Sequence, residues 1–206
     1  MSLAILSKQD VPAFVRNLLR VYRVGGPVEK NGQFAFNFLR DPAELRLDYP
    51  TTILPPKKFL LPPKETLFEF DNAREFQIKT PRLEPRTVIL GVHTCDLHAI
   101  RLLDHVFESG HTDPNYINRR RQTLIVSVEC LSPCDEHSFC KSMGTLSADE
   151  GYDVVFASAN STSALDRVEA QAIAEVFGPL GVPVPPPGLS PLAIEHHRRA
   201  RPRVNG

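Results

Sequence analysis

Tryptophan is absent from the 206 residues, methionine occurs only twice, and no cysteine lies outside residues 95–140. With no tryptophan and 19 prolines, nothing suggests a stacking platform for single-stranded nucleic acid. Net charge is missing too: 24 basic side chains balance 24 acidic ones, which removes a whole-protein attraction to nucleic acid or to an anionic membrane. No apolar run approaches the roughly 18 residues that cross a bilayer, so direct membrane insertion is not expected. Met1 to Lys8 has a short apolar stretch without a basic leader, which reads as no signal peptide. A cytoplasmic location follows as an expectation, and there structural disulfides are rare. The G-x-x-x-x-G-K-[ST] phosphate loop, the G-x-G-x-x-G turn, the G-x-S-x-G elbow and the H-E-x-x-H helix are all lacking.

The chain does contain enough apolar material for a core. Hydrophobic residues make up 42% and charged ones 23%, so a metal need not be the only support of the fold. Val11, Phe14, Val15, Leu18, Leu19 and Tyr22 recur at helical spacing, with Ser7 or Asp10 to cap and Pro12 in the first turn. Gly25-Gly26-Pro27 reads as the break after this helix. Val28 to Lys30, Asn31-Gly32 and Gln33 to Phe38 predict a β-hairpin, because Asn-Gly tolerates the positive φ of a tight turn. Thr66–Phe70 and Glu75–Lys79 alternate as a second pair of strands.

From residue 86 the pattern becomes strand–helix–strand. Thr87–Val92, Thr123–Val128 and Tyr152–Phe156 are apolar, β-rich runs of the kind buried in parallel sheets. Helices are expected over Asp96–Phe107, over Asn115–Arg120, and through Leu165, Val168, Ile173, Val176 and Phe177. The fold class is α/β: an N-terminal helix and hairpins, then a small βαβ sheet domain with a Cys-rich loop at the strand carboxyl ends. Residues 1–177 form the expected domain, and 178–206 a Pro-rich, basic, flexible tail.

Three of the four cysteines crowd into Cys130-Leu-Ser-Pro-Cys134-Asp-Glu-His137-Ser-Phe-Cys140, and Cys95 follows the strand 87–92. Both places are carboxyl ends of buried strands, the edge where α/β sheets build their sites. Four thiolates close the shell of a tetrahedral zinc or give one ligand to each iron of a [4Fe–4S] cluster. The spacing matches neither the paired C-x2-C of zinc ribbons nor the ferredoxin run. Zinc stays open, with His137, His93 or His98 as a nitrogen ligand. So do reduced structural cysteines, and a nucleophile–base pair of Cys95 and His98.

Tyr49-Pro-Thr-Thr-Ile-Leu-Pro-Pro-Lys57-Lys58-Phe59-Leu-Leu-Pro-Pro-Lys64 is too rich in proline for a helix or a central strand. It reads as an extended surface strap, lying over its own domain or docking another polypeptide, with Tyr49, Lys57, Lys58 and Phe59 as the docking residues.

The runs Tyr49-Pro-Thr-Thr-Ile-Leu-Pro-Pro-Lys-Lys-Phe59, Thr66-Leu-Phe-Glu-Phe70 and Gly91-Val-His-Thr-Cys95-Asp-Leu-His-Ala-Ile100 carry a family resemblance, as do Arg119–Val126 and Phe139–Thr145. Together they resemble the amino-terminal domain of the iron–sulfur β subunits of soluble nickel–iron hydrogenases (sulfhydrogenases), a domain that also occurs in one component of anaerobic sulfite reductase. The likeness runs over roughly residues 8–156. It implies a [4Fe–4S] cluster on Cys95, Cys130, Cys134 and Cys140 in a protein that passes electrons without bond chemistry of its own. The implied partners are flavin/NAD(P)-binding and catalytic oxidoreductase subunits. Within the family this domain precedes a ferredoxin-like domain whose cysteines are missing here, so either another polypeptide, such as a separate ferredoxin-type protein, supplies those clusters, or the domain serves as a sensor or as a zinc-binding or metal-free interaction scaffold. The sequence also departs at His93-Thr94, where the family usually carries Arg-Pro.

Overall fold

A computed structural model describes residues 9–71, 77–79, 85–130, 133–147 and 150–158, together with short strands at Leu3–Ile5 and Leu192–Glu195. In chain order the elements are β1 (Leu3–Ile5), α1 (Val11–Leu19), β2 (Arg23–Lys30), β3 (Gln33–Phe38), β4 (Glu69–Asp71), β5 (Gln77–Lys79), β6 (Thr87–His93), α2 (Thr94–Glu108), α3 (Pro114–Arg121), β7 (Thr123–Val128), β8 (Val154–Ser158) and β9 (Leu192–Glu195). One sheet of seven strands runs in the order β1-β9-β8-β7-β6-β2-β3, and β4 pairs with β5 alone. Its centre is parallel, β2 to β6 to β7 to β8, and its margins are antiparallel. The α/β class and the βαβ core read from the sequence are the observed ones.

The apolar runs explain the centre. Every residue of β6 is buried, as a strand covered on both faces requires. Along it, side chains alternate between two cores. Val88 and Leu90 join Phe14, Val15 and Leu18 of α1, together with Val126 and Phe156. Ile89 and Val92 face the other way, onto Leu97 and Ile100 of α2, Tyr116 and Ile117 of α3, and the strap residues Tyr49, Phe59 and Leu60. Asp113 caps α3 by accepting from the N–H groups of Asn115 and Tyr116.

Two expectations change. Gly25-Gly26-Pro27 is not what ends α1, which stops at Leu19, but lies inside β2, pairing with β3 from Gly25 opposite Phe38 to Lys30 opposite Gln33. The glycine there is steric: a Cβ on Gly25 would stand 2.6 Å from the ring of Phe59. Pairing of β2 with β6 ends at Gly25, so the missing N–H of Pro27 costs that ladder nothing. Leu192–Glu195, assigned by sequence to the tail, adds the antiparallel strand β9 between β8 and β1. The expected helix through residues 165–177 and the rest of the 178–206 segment lie outside the described residues.

Candidate metal centre

The carboxyl ends of β6 and β7 set the four cysteines. Gly91 carries φ +78°, and the register of β6 against β7 shifts there. A bulge of this kind re-aims the residues after it. It turns the Gly91 carbonyl to the Tyr49 hydroxyl, which donates to it at 2.7 Å, and leads through His93 into the first turn of α2. Tyr49 stacks flat on His93, the rings 4.1 Å apart and within 4° of parallel. Burial holds the His93 imidazole below its usual pKa, so it packs as a neutral ring. His93 occupies the N-cap of α2 and its side chain makes no cap hydrogen bond, which leaves the first-turn N–H groups without a side-chain cap.

Cys95 sits in that first turn, Cys130 just beyond β7, and Cys134 and Cys140 on the loop that returns to β8. All four are free thiols and half-buried. They are near enough to sense one another. Burial pushes the Cys95 thiol up to about 12, with Asp96, Cys140 and Cys130 adding to the rise. Burial also raises Cys134, helped by Cys130, Cys140 and Asp135. Asp96 is itself raised by burial, with Lys57 acting the other way.

The loop is latched to one face of α2. Thr94, His98 and Arg101, spaced at about one helical turn each, hold Leu146, Ser147 and Glu150 in order. The Thr94 hydroxyl lies 3.0 Å from the Leu146 carbonyl and the His98 Nε2–H donates to the Ser147 carbonyl at 2.9 Å. Arg101 pairs with Glu150. Within the loop Asp135 accepts from the His137 N–H at 2.8 Å, and the Thr145 N–H donates to the Cys140 carbonyl at 2.9 Å. The chain thus returns from Cys140 to the helix that bears Cys95.

Comparison with known proteins settles the relationship. Over 149 residues, 72% of this chain, the sequence is 39% identical to sulfhydrogenase 2 subunit beta of Pyrococcus furiosus. The chain is a relative of the hydrogenase β subunit. The match covers 43% of that protein's length. A second similarity, 60% over 40 residues to a tetracenomycin polyketide synthase ketoacyl synthase beta subunit of Streptomyces glaucescens, takes in 19% of this chain and 10% of that protein. So short a stretch carries no functional argument. No family model and no solved structure matches.

In this hydrogenase β-subunit relative, the residues singled out by sequence fall into two groups. Cys95, Cys130, Cys134 and Cys140 come to one edge of the sheet. His137 contacts Glu136 at 3.5 Å, with its side chain 86% exposed. Tyr49 and Phe59, expected on a docking face, are buried and pack on Phe36, so they anchor the strap instead of facing a partner. Lys58 is half-buried and donates to Asn37 at 2.9 Å, whereas Lys57 is exposed near Asp96. His98 serves the latch. A nucleophilic cysteine needs a lowered pKa, and Cys95 has the opposite. Sequence reading missed the latch, whose only trace is a row of polar residues at helical spacing on α2. It also missed Phe139 and Met143, exposed side chains beside Cys140.

Proposed function

We propose that this domain holds one [4Fe–4S] cluster through Cys95, Cys130, Cys134 and Cys140 and works as an electron-transfer module of a hydrogenase-type complex. The observation that carries the reading is the gathering of four half-buried thiols at one sheet edge, each of the two shifted ones raised partly by its neighbours. Such thiols are poorly placed as free thiolates, and a bound metal centre reverses this by deprotonating them outright. Among the described residues no three His, Cys, Asp or Glu side chains stand close enough together to grip a single ion. A cluster binds each cysteine at a different iron, so its ligand sulfurs lie farther apart than those of one tetrahedral zinc. Four cysteine thiolates would give one ligand to each of the four irons.

The surroundings fit an anionic group as well. The start of α2 offers first-turn N–H groups without a side-chain cap, and the Asp96 N–H already lowers the Cys95 thiol. When bound, the cluster would supply one-electron redox chemistry. The chain itself would hold it, limit water around it and present it to a partner. Partners of this kind are flavin/NAD(P)-binding and catalytic oxidoreductase subunits, with a separate ferredoxin-type protein to extend the path, in the cytoplasm. Lys57, with the exposed Ile53 and Leu54 beside it in sequence, is the part of the strap left to meet such a partner.

Anaerobic reconstitution of the chain and of its four single Cys→Ser variants tests this reading. A visible iron–sulfur absorption that weakens in each variant is the expected result. A chain that takes up no iron, or that keeps its full absorption in all four variants, refutes it.

A further inference from the structure

Thr94 is 2% exposed, and its hydroxyl stands 3.5 Å from the Cys130 sulfur as well as 3.0 Å from the Leu146 carbonyl. One hydroxyl proton thus faces two acceptors. Against a neutral thiol the carbonyl is the better of them, because thiol sulfur accepts weakly. Against a metal-bound thiolate the O–H···S bond becomes charge-assisted and roughly twice as strong as a neutral one. Thr94 also joins three segments that carry cysteines: the start of α2 with Cys95, the end of β7 with Cys130, and the return of the Cys140 loop at Leu146. Valine would fill the same space and donate to neither acceptor.

Resting on the cluster reading above, we propose that the Thr94 hydroxyl donates to the Cys130 sulfur and raises the reduction potential of the cluster, making Thr94 a positioning residue that tunes it. Reduction adds one electron from an external low-potential carrier, such as a reduced viologen, and takes up no proton. The cluster with its four thiolates goes from net charge −2 to −3, and part of the added charge resides on the cysteine sulfurs. A donor aimed at one of those sulfurs therefore stabilises the reduced form more than the oxidised form. Hydrogen bonds to the sulfurs are among the levers that set iron–sulfur potentials.

Potentiometric titration of the full chain, loaded anaerobically, tests the assignment in wild type, Thr94→Val and Thr94→Ser. Thr94→Val is expected to keep its iron and sulfide and to be harder to reduce by about tenfold in the equilibrium constant, about 59 mV for a one-electron couple. Thr94→Ser keeps the donor and should titrate close to wild type. A loaded Thr94→Val at the wild-type potential overturns the assignment while leaving the cluster reading intact. Wild type without iron overturns both. If Thr94→Val does not load, Thr94→Ala against Thr94→Ser makes the same comparison, and equal potentials again overturn it. If neither Thr94→Val nor Thr94→Ala loads, electron–nuclear double resonance on the reduced wild type must show an exchangeable proton coupled to the cluster that loaded Thr94→Ser retains, and its absence overturns the assignment.

Discussion

Replacing Gly91 with alanine perturbs the bulge on which the candidate centre hangs, and its cost can be worked from the structure. The residue has φ +78°, where an L side chain costs about 1–2 kcal/mol. The new Cβ would lie 2.9 Å from the end of the Leu47 side chain and 3.2 Å from the ring of Pro27. Leu47 can rotate away, but Pro27 is fixed within β2, and overpacking of this kind costs about 1–3 kcal/mol. The two terms give a loss of about 3 kcal/mol. With a urea dependence of about 2 kcal/mol per molar, the unfolding midpoint should fall by about 1.5 M. Any relief at Gly91 through a backbone shift also moves the carbonyl that holds Tyr49, so metal uptake should fall with stability. Equilibrium urea unfolding of the metal-free chain, followed by circular dichroism, reads the effect. A loss under about 0.5 kcal/mol, the range of an ordinary surface change, would show that the bulge is not built as described.

Further expectations concern the core, the thiols and the strap. Asp104→Ala removes the carboxylate that accepts from Arg120 Nε at 2.9 Å and from the Tyr116 hydroxyl at 2.6 Å. It leaves Arg120 buried with Nη1 already lacking a partner, so unfolding should become easier by about 3 kcal/mol. Thermal and urea unfolding check this, and Leu18→Ala, a fully buried site on α1, should cost about 2–5 kcal/mol in the same assays. Cys95 has a folded pKa of about 12 against an ordinary 9.0, so the folded metal-free chain holds its proton more tightly than the unfolded one. The associated stability is complete below pH 9 and is lost as the pH rises toward about 12. In the metal-free protein Cys95 should accordingly alkylate at least tenfold more slowly near neutral pH than in the urea-unfolded chain. Lys57→Glu should weaken capture of a redox partner and leave metal content unchanged, as pull-down and metal analysis would show. Unaltered capture would remove the strap from the docking face.

The parts legible in the sequence are those fixed by local pattern. Thr87–His93 and Thr123–Val128 announce themselves as apolar runs because both of their faces are covered, and Asn31-Gly32 marks its hairpin by turn chemistry. The four cysteines are legible as a set because they all fall within residues 95–140, three of them in one short run. Contacts between distant segments were not legible. Gly25 and Gly26 read as a helix stop, since the Phe59 and Leu45 side chains that demand glycine there come from outside the local sequence. Tyr49 and Phe59 sit in a proline-rich stretch that reads as surface, yet their rings fill the core between β3 and α2. The Thr94–His98–Arg101 latch looks like an ordinary solvated helix face until the returning loop is laid against it.

The proposed iron–sulfur cluster is held by the four thiols at one sheet edge. Its most direct test is the content of iron, acid-labile sulfide and zinc per chain in protein purified without oxygen. About four irons and four sulfides, with little zinc, is the predicted result. One zinc and no iron, or a folded chain with neither, would contradict it.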